Sequence, residues 1–295
     1  MIKSTAMVSF ICTETLFGSY TDLTSNDGHD YIYKRNFRHY LICSAPRIIF
    51  KSFDFMKKEI EIYIQRNVTE FDKKNLRINT CIEKDGLKTE INKIECTEYP
   101  EIKVIFSNKS ECLFASCYEF LCHFLPEDNT ILTHEILYIG QTKTTKKYLR
   151  LKGHEKIAKI SDNILKSAPQ LELFVKLLKF ESPVCEIDSP QKNTASKTLD
   201  DLNKMVRSFT DNEITNLIEA VLIKSCQPKY NTHYTNNFPN KEHQKYNFIY
   251  NKSIDIVSIF IDERSKCYRL ELEGKLRKAL LLTVTLDDFF KMSHS

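Results

Sequence analysis

The chain has 295 residues, of which 42% are hydrophobic, 28% charged and 11% aromatic, and this composition excludes a disordered or collagen-like protein. Lysine and arginine outnumber aspartate and glutamate by 43 to 39, so the net charge of +4 permits a polyanionic partner without requiring one. The length predicts two domains, because a single domain usually holds about 100–200 residues.

The cysteines and the apolar runs bear on the cellular compartment. The ten cysteines include no Cys-x-x-Cys pair, so we expect reduced thiols and no zinc site. The opening residues have no signal-peptide cleavage site, and no run approaches the ~20 apolar residues that span a bilayer. The sequence therefore predicts a cytoplasmic protein without a membrane partner.

Residues 1–110 are predicted to form a separate small α+β domain that recognises the substrate. The segments RHYLICSAPRIIF and EIKVIF are typical of strands, whereas FDFMKKEIEIYIQRN fits a helix or a strand. Asp85-Gly86 lies between two alternating segments and predicts a tight hairpin turn. The basic and aromatic run at 31–40 has a composition that stacks bases, although a mixed surface strand explains it equally well.

Residues 111–240 are predicted to form a second α+β domain, a small three-stranded sheet flanked by helices. CYEFLCHFL and EILYIGQT have the pattern of a strand hairpin around PEDNTILTH, and LELFVKLLKF predicts a third strand with one buried face. A basic amphipathic helix is predicted between the second and third strands, ending at Pro169.

The later part of this second domain combines a polar insertion with a helix. The insertion spans 181–209, and the helix after it begins with a capping-box pattern at Thr210 and Glu213 and carries a core-facing apolar stripe. Residues 241–295 are predicted to be a C-terminal extension that packs on the second domain.

Positive charge is concentrated in one part of the chain. Between Gly140 and Phe180 ten basic residues stand against three acidic ones, the pattern expected where phosphates dock. A solvated helix face is the alternative explanation of such a lysine run.

Three motifs in order, LYIGQT, RLKGH and EAVLIKSCQPKYN, resemble those of the GIY-YIG nuclease domain. In that family a Tyr-Ile-Gly strand precedes a helix with an Arg and often a His one turn later, and a later helix carries a Glu, followed by a Pro and an Asn. The corresponding residues here are Tyr138, Gly140, Arg150, His154, Glu219, Pro228 and Asn231. The resemblance covers residues 113–235 and implies a GIY-YIG-like fold and hydrolysis of phosphodiester bonds.

The tyrosine of the first GIY-YIG motif has no obvious counterpart, because no Gly-Ile-Tyr precedes Tyr138. If the predicted hairpin is centred on Asp128, Tyr118 stands opposite Tyr138, and cross-strand neighbours are close enough to share a site. Tyr118 is therefore the candidate for this tyrosine, with a core tyrosine as the alternative.

The resemblance implies a catalytic set of five residues: Tyr138, Tyr118, Arg150, His154 and Glu219. Glu219 would bind Mg²⁺ or Mn²⁺, since a single carboxylate suits an ion that prefers oxygen ligands and keeps several waters. Arg150 would offset phosphate charge, while a tyrosine, assisted by His154, would orient or deprotonate the attacking water. Contacts to DNA or support of the site are expected from Gly140, Lys143, Lys146, Lys147, Lys152 and Asn231.

The resulting hypothesis is a metal-dependent endonuclease acting on DNA, with RNA as a second possible substrate, in restriction, phage defence or mobile-element biology. A catalytically inactive nucleic-acid-binding module of the same family is the first alternative. An interaction scaffold whose basic helix contacts an acidic protein is the second. Taken one at a time, each motif residue also has an ordinary structural explanation, so the joint pattern carries the hypothesis.

Overall fold

The computed structural model describes residues 5–23, 34–84, 87–107, 112–126, 131–141, 155–188, 199–232, 254–262, 269–272, 275–277 and 279–286. These residues form mostly strands, arranged in one large curled mixed sheet and two small antiparallel sheets. The predicted α+β class, a three-stranded sheet behind a separate α+β domain, is therefore wrong. The physical reason is that distant apolar segments pair into one sheet.

The elements are numbered in chain order. The strands are β1 (Thr5–Ser19), β2 (His39–Pro46), β3 (Ile48–Asp54), β4 (Glu59–Gln65), β5 (Phe71–Arg77), β6 (Cys81–Lys84), β7 (Leu87–Cys96), β8 (Glu101–Phe106), β9 (Cys112–Ser116), β10 (Thr133–Gln141), β11 (Leu171–Phe180), β12 (Val184–Asp188), β13 (Ile256–Asp262), β14 (Arg269–Leu272), β15 (Lys275–Arg277) and β16 (Ala279–Thr285). The helices are α1 (Tyr20–Leu23), α2 (Cys117–Phe124), α3 (Glu155–Ser167), α4 (Leu199–Arg207) and α5 (Asp211–Cys226).

The large sheet has the strand order β15-β14-β10-β2-β11-β1-β13-β16, and β12 pairs with β1 beside β11. The two strands from the start of the chain, β1 and β2, lie in its interior, between strands that come after residue 110. β10 is antiparallel to β2, β2 is antiparallel to β11, and β1 is parallel to β13. The sheet thus joins both ends of the chain.

The central strands β2 and β11 are covered on both faces. Seven of the eight β2 residues are buried, which suits its nearly continuous apolar run. β11 occupies the predicted segment, but the prediction of one buried face is wrong, because five consecutive residues are buried, including Lys176.

Strands β3 to β9 and helix α2 form an inserted module between β2 and β10, which are neighbours in the large sheet. β3-β4-β5 and β6-β7-β8-β9 are its two antiparallel sheets. The segments on either side of Asp85-Gly86 pair as predicted, with Lys84 opposite Leu87, whereas the turn residues Asp85 and Gly86 lie outside the described residues. The module shares its core with the large sheet through Ala45 and Phe174.

The predicted hairpin of CYEFLCHFL with EILYIGQT is wrong, because residues 117–124 form helix α2. The Ser116 side chain accepts a hydrogen bond from the Glu119 amide, and the Glu119 side chain accepts one from the Ser116 amide. This capping box satisfies backbone N–H groups at the helix start and favours a helix over a strand.

Helices cover opposite faces of the sheet near β10. Helix α5, which begins as predicted with a capping box at Thr210 and Glu213, packs in the core cluster that includes Ile139. Helix α3 packs in the cluster that includes Tyr138. Among the described residues, no helix combines the length and hydrophobicity needed to cross a membrane.

Candidate functional site

The Tyr-Ile-Gly motif occupies the second half of β10, where the chain after α5 replaces a neighbouring strand. β14 pairs with β10 only along residues 133–135. Beyond them, the Tyr230 amide donates to the Leu137 carbonyl at 3.0 Å. The Asn231 side chain accepts from the Ile139 amide at 2.8 Å and donates to its carbonyl at 2.9 Å. Asn231 thus satisfies both backbone groups of the residue between Tyr138 and Gly140.

The tyrosine beside this motif is Tyr40 of β2. Gly140 lies directly opposite Tyr40, and a Cβ at residue 140 would collide with the Tyr40 ring. The ring centroids of Tyr40 and Tyr138 are 6.2 Å apart, and the two residues are only 3% and 8% exposed. Both rings lie on the face covered by α3.

Tyr118, the tyrosine assigned to this place from the sequence, lies elsewhere. It is fully buried in α2, and its ring centroid is 4.7 Å from that of Phe174 and 5.5 Å from that of His134. Burial raises the pKa of Tyr118 well above the usual value of a phenol. The side chain therefore belongs to the core that joins the inserted module to the large sheet.

Glu219 reaches the end of β10 from helix α5. The Gln141 amide Nε2 donates to Glu219 Oε2 and to Asn216 Oδ1, both at 2.8 Å. Gln141 follows Gly140 in the strand, and successive strand residues point to opposite faces. Glu219 and the tyrosine pair therefore flank the last residues of β10 from its two faces.

A cation lies over the Tyr138 ring. Lys156, in the first turn of α3, places its Nζ 5.5 Å from the ring centroid. An ammonium over an aromatic face is attracted by the ring quadrupole. Lys156, one of the ten basic residues between Gly140 and Phe180, therefore places a positive charge beside the Tyr-Ile-Gly motif. The other predicted residues of this segment, namely Lys143, Lys146, Lys147, Arg150, Lys152 and His154, lie outside the described residues.

Buried acceptor atoms line the α5 side of the site. His39 pairs with Gln141 across the strands, and its Nε2 contacts the Thr215 carbonyl at 2.9 Å. His39 Nδ1 and Gln141 Oε1 are buried and have no hydrogen-bond partner among the described residues. Burial lowers the pKa of His39 to about 4, against the opposing effect of the Thr215 hydrogen bond, so the ring is neutral at pH 7.

The donor atoms near Glu219 fit a hard divalent cation. Within the described ranges, no group of three or more His, Cys, Asp or Glu side chains is arranged to hold a metal. The oxygen ligands that the site offers are the half-buried Glu219 carboxylate and the Asn216 amide oxygen, which both accept from Gln141 Nε2. Oxygen donors in small number suit Mg²⁺, which keeps several of its waters.

Tyr40 is the residue that sequence analysis missed. The aromatic run at 31–40 contains it, but a strand partner more than ninety positions from Tyr138 leaves no local signal in the sequence. Three comparisons, with protein-family models, curated proteins and solved structures, find no match to the chain. The functional argument therefore depends on the motif residues and their geometry.

Proposed function

We propose that the protein is a metal-dependent endonuclease that hydrolyses phosphodiester bonds in DNA. The observation that carries the proposal is that Tyr40, Tyr138, Gly140, Glu219 and Asn231 all lie at the end of β10, with the tyrosine pair on one face of the strand and Glu219 on the other. These residues come from β2, β10, α5 and the segment after α5. Ordinary packing does not require a tyrosine pair, a carboxylate and a backbone-fixing amide at one strand end.

The tyrosine pair would orient or deprotonate the attacking water. An unperturbed phenol has a pKa of about 10, so this role requires a nearby positive charge that favours the phenolate. Lys156 over the Tyr138 ring supplies such a charge. Arg150 and His154 belong to the segment that immediately precedes α3, and we assign them phosphate contact and proton transfer.

The carboxylate side of the site would hold the cation. Glu219 and the amide oxygen of Asn216 would bind Mg²⁺ or Mn²⁺, an ion that when bound stabilises charge on the phosphoryl and leaving oxygens. Asn231 holds the β10 backbone in place through its hydrogen bonds to Ile139. Gly140 leaves room for the Tyr40 ring. Restriction, phage defence and mobile-element activity are the biological settings that we propose for such a nuclease.

The test is plasmid cleavage by the full chain with Mg²⁺ or Mn²⁺. We expect Glu219→Gln to lower the cleavage rate about 100-fold or more with DNA affinity retained, because transition-state charge stabilisation is lost. Tyr40→Phe and Tyr138→Phe should each lower the rate by about 100-fold or more, the effect of losing a general base. Glu186→Gln, an exposed carboxylate on β12, is the matched control.

Cleavage by Glu219→Gln at the wild-type rate contradicts the proposal, as does cleavage that is unaffected by EDTA. EDTA tests whether cleavage requires a metal, and the substitutions test whether it requires these residues. A contaminating nuclease would respond to EDTA but not to the Glu219 and tyrosine substitutions.

A nucleic-acid-binding module without cleavage activity is the second candidate. The observation that favours it is the burial of the tyrosine pair, together with the hydrogen bond from Gln141 to Glu219. Salt-dependent DNA binding with no cleavage under any divalent metal would support this candidate. Binding of an acidic protein, with no salt-dependent DNA binding, would instead support a scaffold role.

A further inference from the structure

A cleft of about 250 Å³ opens between the last turns of α3 and the start of β11. Ile164 and Leu165 form one wall, and Leu171 and Leu173 form the floor. Leu171 and Leu173 pack against the same cluster as Tyr138, so the cleft adjoins the face that carries the tyrosine pair. A volume just under the ~300–1,000 Å³ of typical small-molecule sites suits a single planar ring system.

Two side chains of opposite charge line this cleft. Arg47 and Glu172 both line it, and the Tyr99 ring lies beside both of them. The Tyr99 hydroxyl donates to Glu172 Oε1 at 2.5 Å, and the guanidinium carbon of Arg47 is 5.9 Å from the ring centroid. Tyr99 therefore contacts both a hydrogen-bond donor group and an acceptor group.

The arginine of this cleft has a hydrogen-bond donor without a partner among the described residues. Arg47 Nε is buried and has no hydrogen-bond partner in the part of the chain that the structure describes. A buried donor without a partner costs roughly 1–3 kcal/mol, so a ligand acceptor that reached Arg47 Nε would recover this cost. Burial raises the pKa of the Glu172 carboxyl, against the effects of Tyr99 and Arg47, and above that pKa the carboxylate accepts hydrogen bonds.

We infer that this cleft binds an unpaired guanine base of a nucleic-acid strand. Guanine presents the acceptors O6 and N7, which match an arginine, and the donors N1–H and N2–H₂, which match a carboxylate. Adenine carries an amino donor where guanine has O6, and it lacks N1–H. The apolar walls suit the faces of the base, as in pockets that hold flipped bases.

The position of the cleft links it to the proposed nuclease site, on which this inference rests. Lys156 lies over Tyr138 at the start of α3, and Ile164 lines the cleft eight residues later. At 1.5 Å per residue, the two points are ~12 Å apart along the helix. A strand with a phosphate at Tyr138 therefore has a base within reach of the cleft a few nucleotides away.

The first experiment uses the unmodified protein and oligothymidylates with one central guanine, adenine, hypoxanthine or 7-deazaguanine. Binding is measured by fluorescence anisotropy without metal at pH 8. We expect guanine to bind on the order of tenfold more tightly than adenine. Hypoxanthine lacks the N2 amino group and 7-deazaguanine lacks the N7 acceptor, so each should bind several-fold more weakly than guanine.

Two variants assign these losses to the two side chains. Arg47→Met should abolish the preference for guanine over 7-deazaguanine and leave the preference over hypoxanthine. In Glu172→Gln, the amide oxygen accepts from Tyr99 and the amide donors face the guanine donors, so the preference over hypoxanthine should disappear. Arg66→Met and Glu186→Gln, which substitute side chains outside the cleft, are the matched controls.

Equal affinity for guanine and adenine overturns the inference, as does a guanine preference that both variants retain. Binding of free guanosine monophosphate with no preference among oligonucleotides overturns the nucleic-acid source. If a variant does not fold, the base-analogue series on the unmodified protein decides. A preference for guanine without metal-dependent cleavage refutes the proposed nuclease function and leaves the assignment of the cleft intact. Metal-dependent cleavage without a preference for guanine refutes the assignment of the cleft and leaves the proposed nuclease function intact.

Discussion

The absence of a side chain at residue 140 leaves room for a buried aromatic ring of the candidate site. The Tyr40 ring occupies the space that a Cβ at Gly140 would fill. Asn231 holds the preceding residue, Ile139, by both of its backbone groups. The geometry of the site thus depends on two residues that have no acid–base chemistry of their own.

Gly140→Ala should destabilise the protein by about 1–3 kcal/mol, because the added methyl group forces the buried Tyr40 ring to move. The free energy of unfolding is measured by urea denaturation. Gly18→Ala is the control, because its Cβ would meet the Leu23 side chain at 3.3 Å and Glu119 Oε1 at 3.6 Å, with no buried ring in its way, and we expect a change within about 1 kcal/mol. An equal loss at residue 140 in a Tyr40→Leu background would contradict the steric explanation.

Asn231→Ala should cost about 2 kcal/mol or more, since it leaves the amide and carbonyl of Ile139 without their side-chain partner. Hydrogen exchange of the Ile139 amide should accelerate with it. Asn212→Ala, an exposed position on α5, provides the comparison and should leave that exchange rate unchanged. Unaltered protection of Ile139 in the Asn231 variant would refute the strand-replacing role.

At the scale of elements, the junction of β2 with α5 is maintained by a buried neutral histidine. His39 bonds the Thr215 carbonyl of α5 and meets the Phe180 ring edge-on, with centroids 5.3 Å apart. Protonating this ring inside the core would place a charge where no water solvates it. The junction is therefore sensitive to acid.

The free energy of unfolding should fall as pH decreases from about 6.5 to about 4, because in this range His39 binds a proton in the unfolded chain but not in the folded chain. With the folded pKa near 4, His39 alone accounts for ~3 kcal/mol across this window. His134, whose pKa burial also lowers, adds to the same slope. Urea denaturation from pH 4 to pH 8 measures the slope.

His39→Gln is the diagnostic variant for this pH dependence. It should remove about one proton from the slope between pH 4 and pH 6.5, whatever its effect on stability at pH 8. His134→Gln should remove a similar share independently, because the two histidines belong to different parts of the core. A wild-type slope in the His39 variant would show that this ring is not the acid-sensitive group.

Sequence analysis was accurate where signals are local and failed where pairing is distant. The Thr210–Glu213 capping box and apolar stripe specified α5, and alternation located β11 but missed its burial on both faces. An equivalent signal, Ser116 followed by Glu119, marked α2 but was overlooked because the apolar run after it suggested a strand. The pairing of β10 with β2 has no local signature, because it depends on the closing of a long loop.

At the scale of the whole molecule, the large sheet is assembled from both ends of the chain. β1 pairs with β11 and β12 on one side and with β13 on the other. Ser9 and Ser258, which share a 2.7 Å hydrogen bond, are separated by 249 positions. No cut near the middle of the chain leaves this sheet whole.

Fragments 1–110 and 111–295, expressed separately, should therefore lack the cooperative unfolding of the intact protein. The first fragment contains β1 and β2 without their neighbours, and the second lacks both of these interior strands. Thermal unfolding followed by circular dichroism measures cooperativity. Co-expression is the control and should restore a single transition. Two fragments that each unfold cooperatively alone would establish independent domains.

The inserted module leaves and rejoins the large sheet at adjacent points. Ser44, near the end of β2, faces Glu135, near the start of β10, across one interstrand spacing of about 4.8 Å. An exchange of the intervening segment between related genes would need only two crossover points. Neither point would interrupt the pairing of β2 with β10 that places Tyr40 opposite Gly140. The same entry and exit points make this segment a replaceable cassette for protein engineering, provided that the substitute covers Ala45 and Phe174.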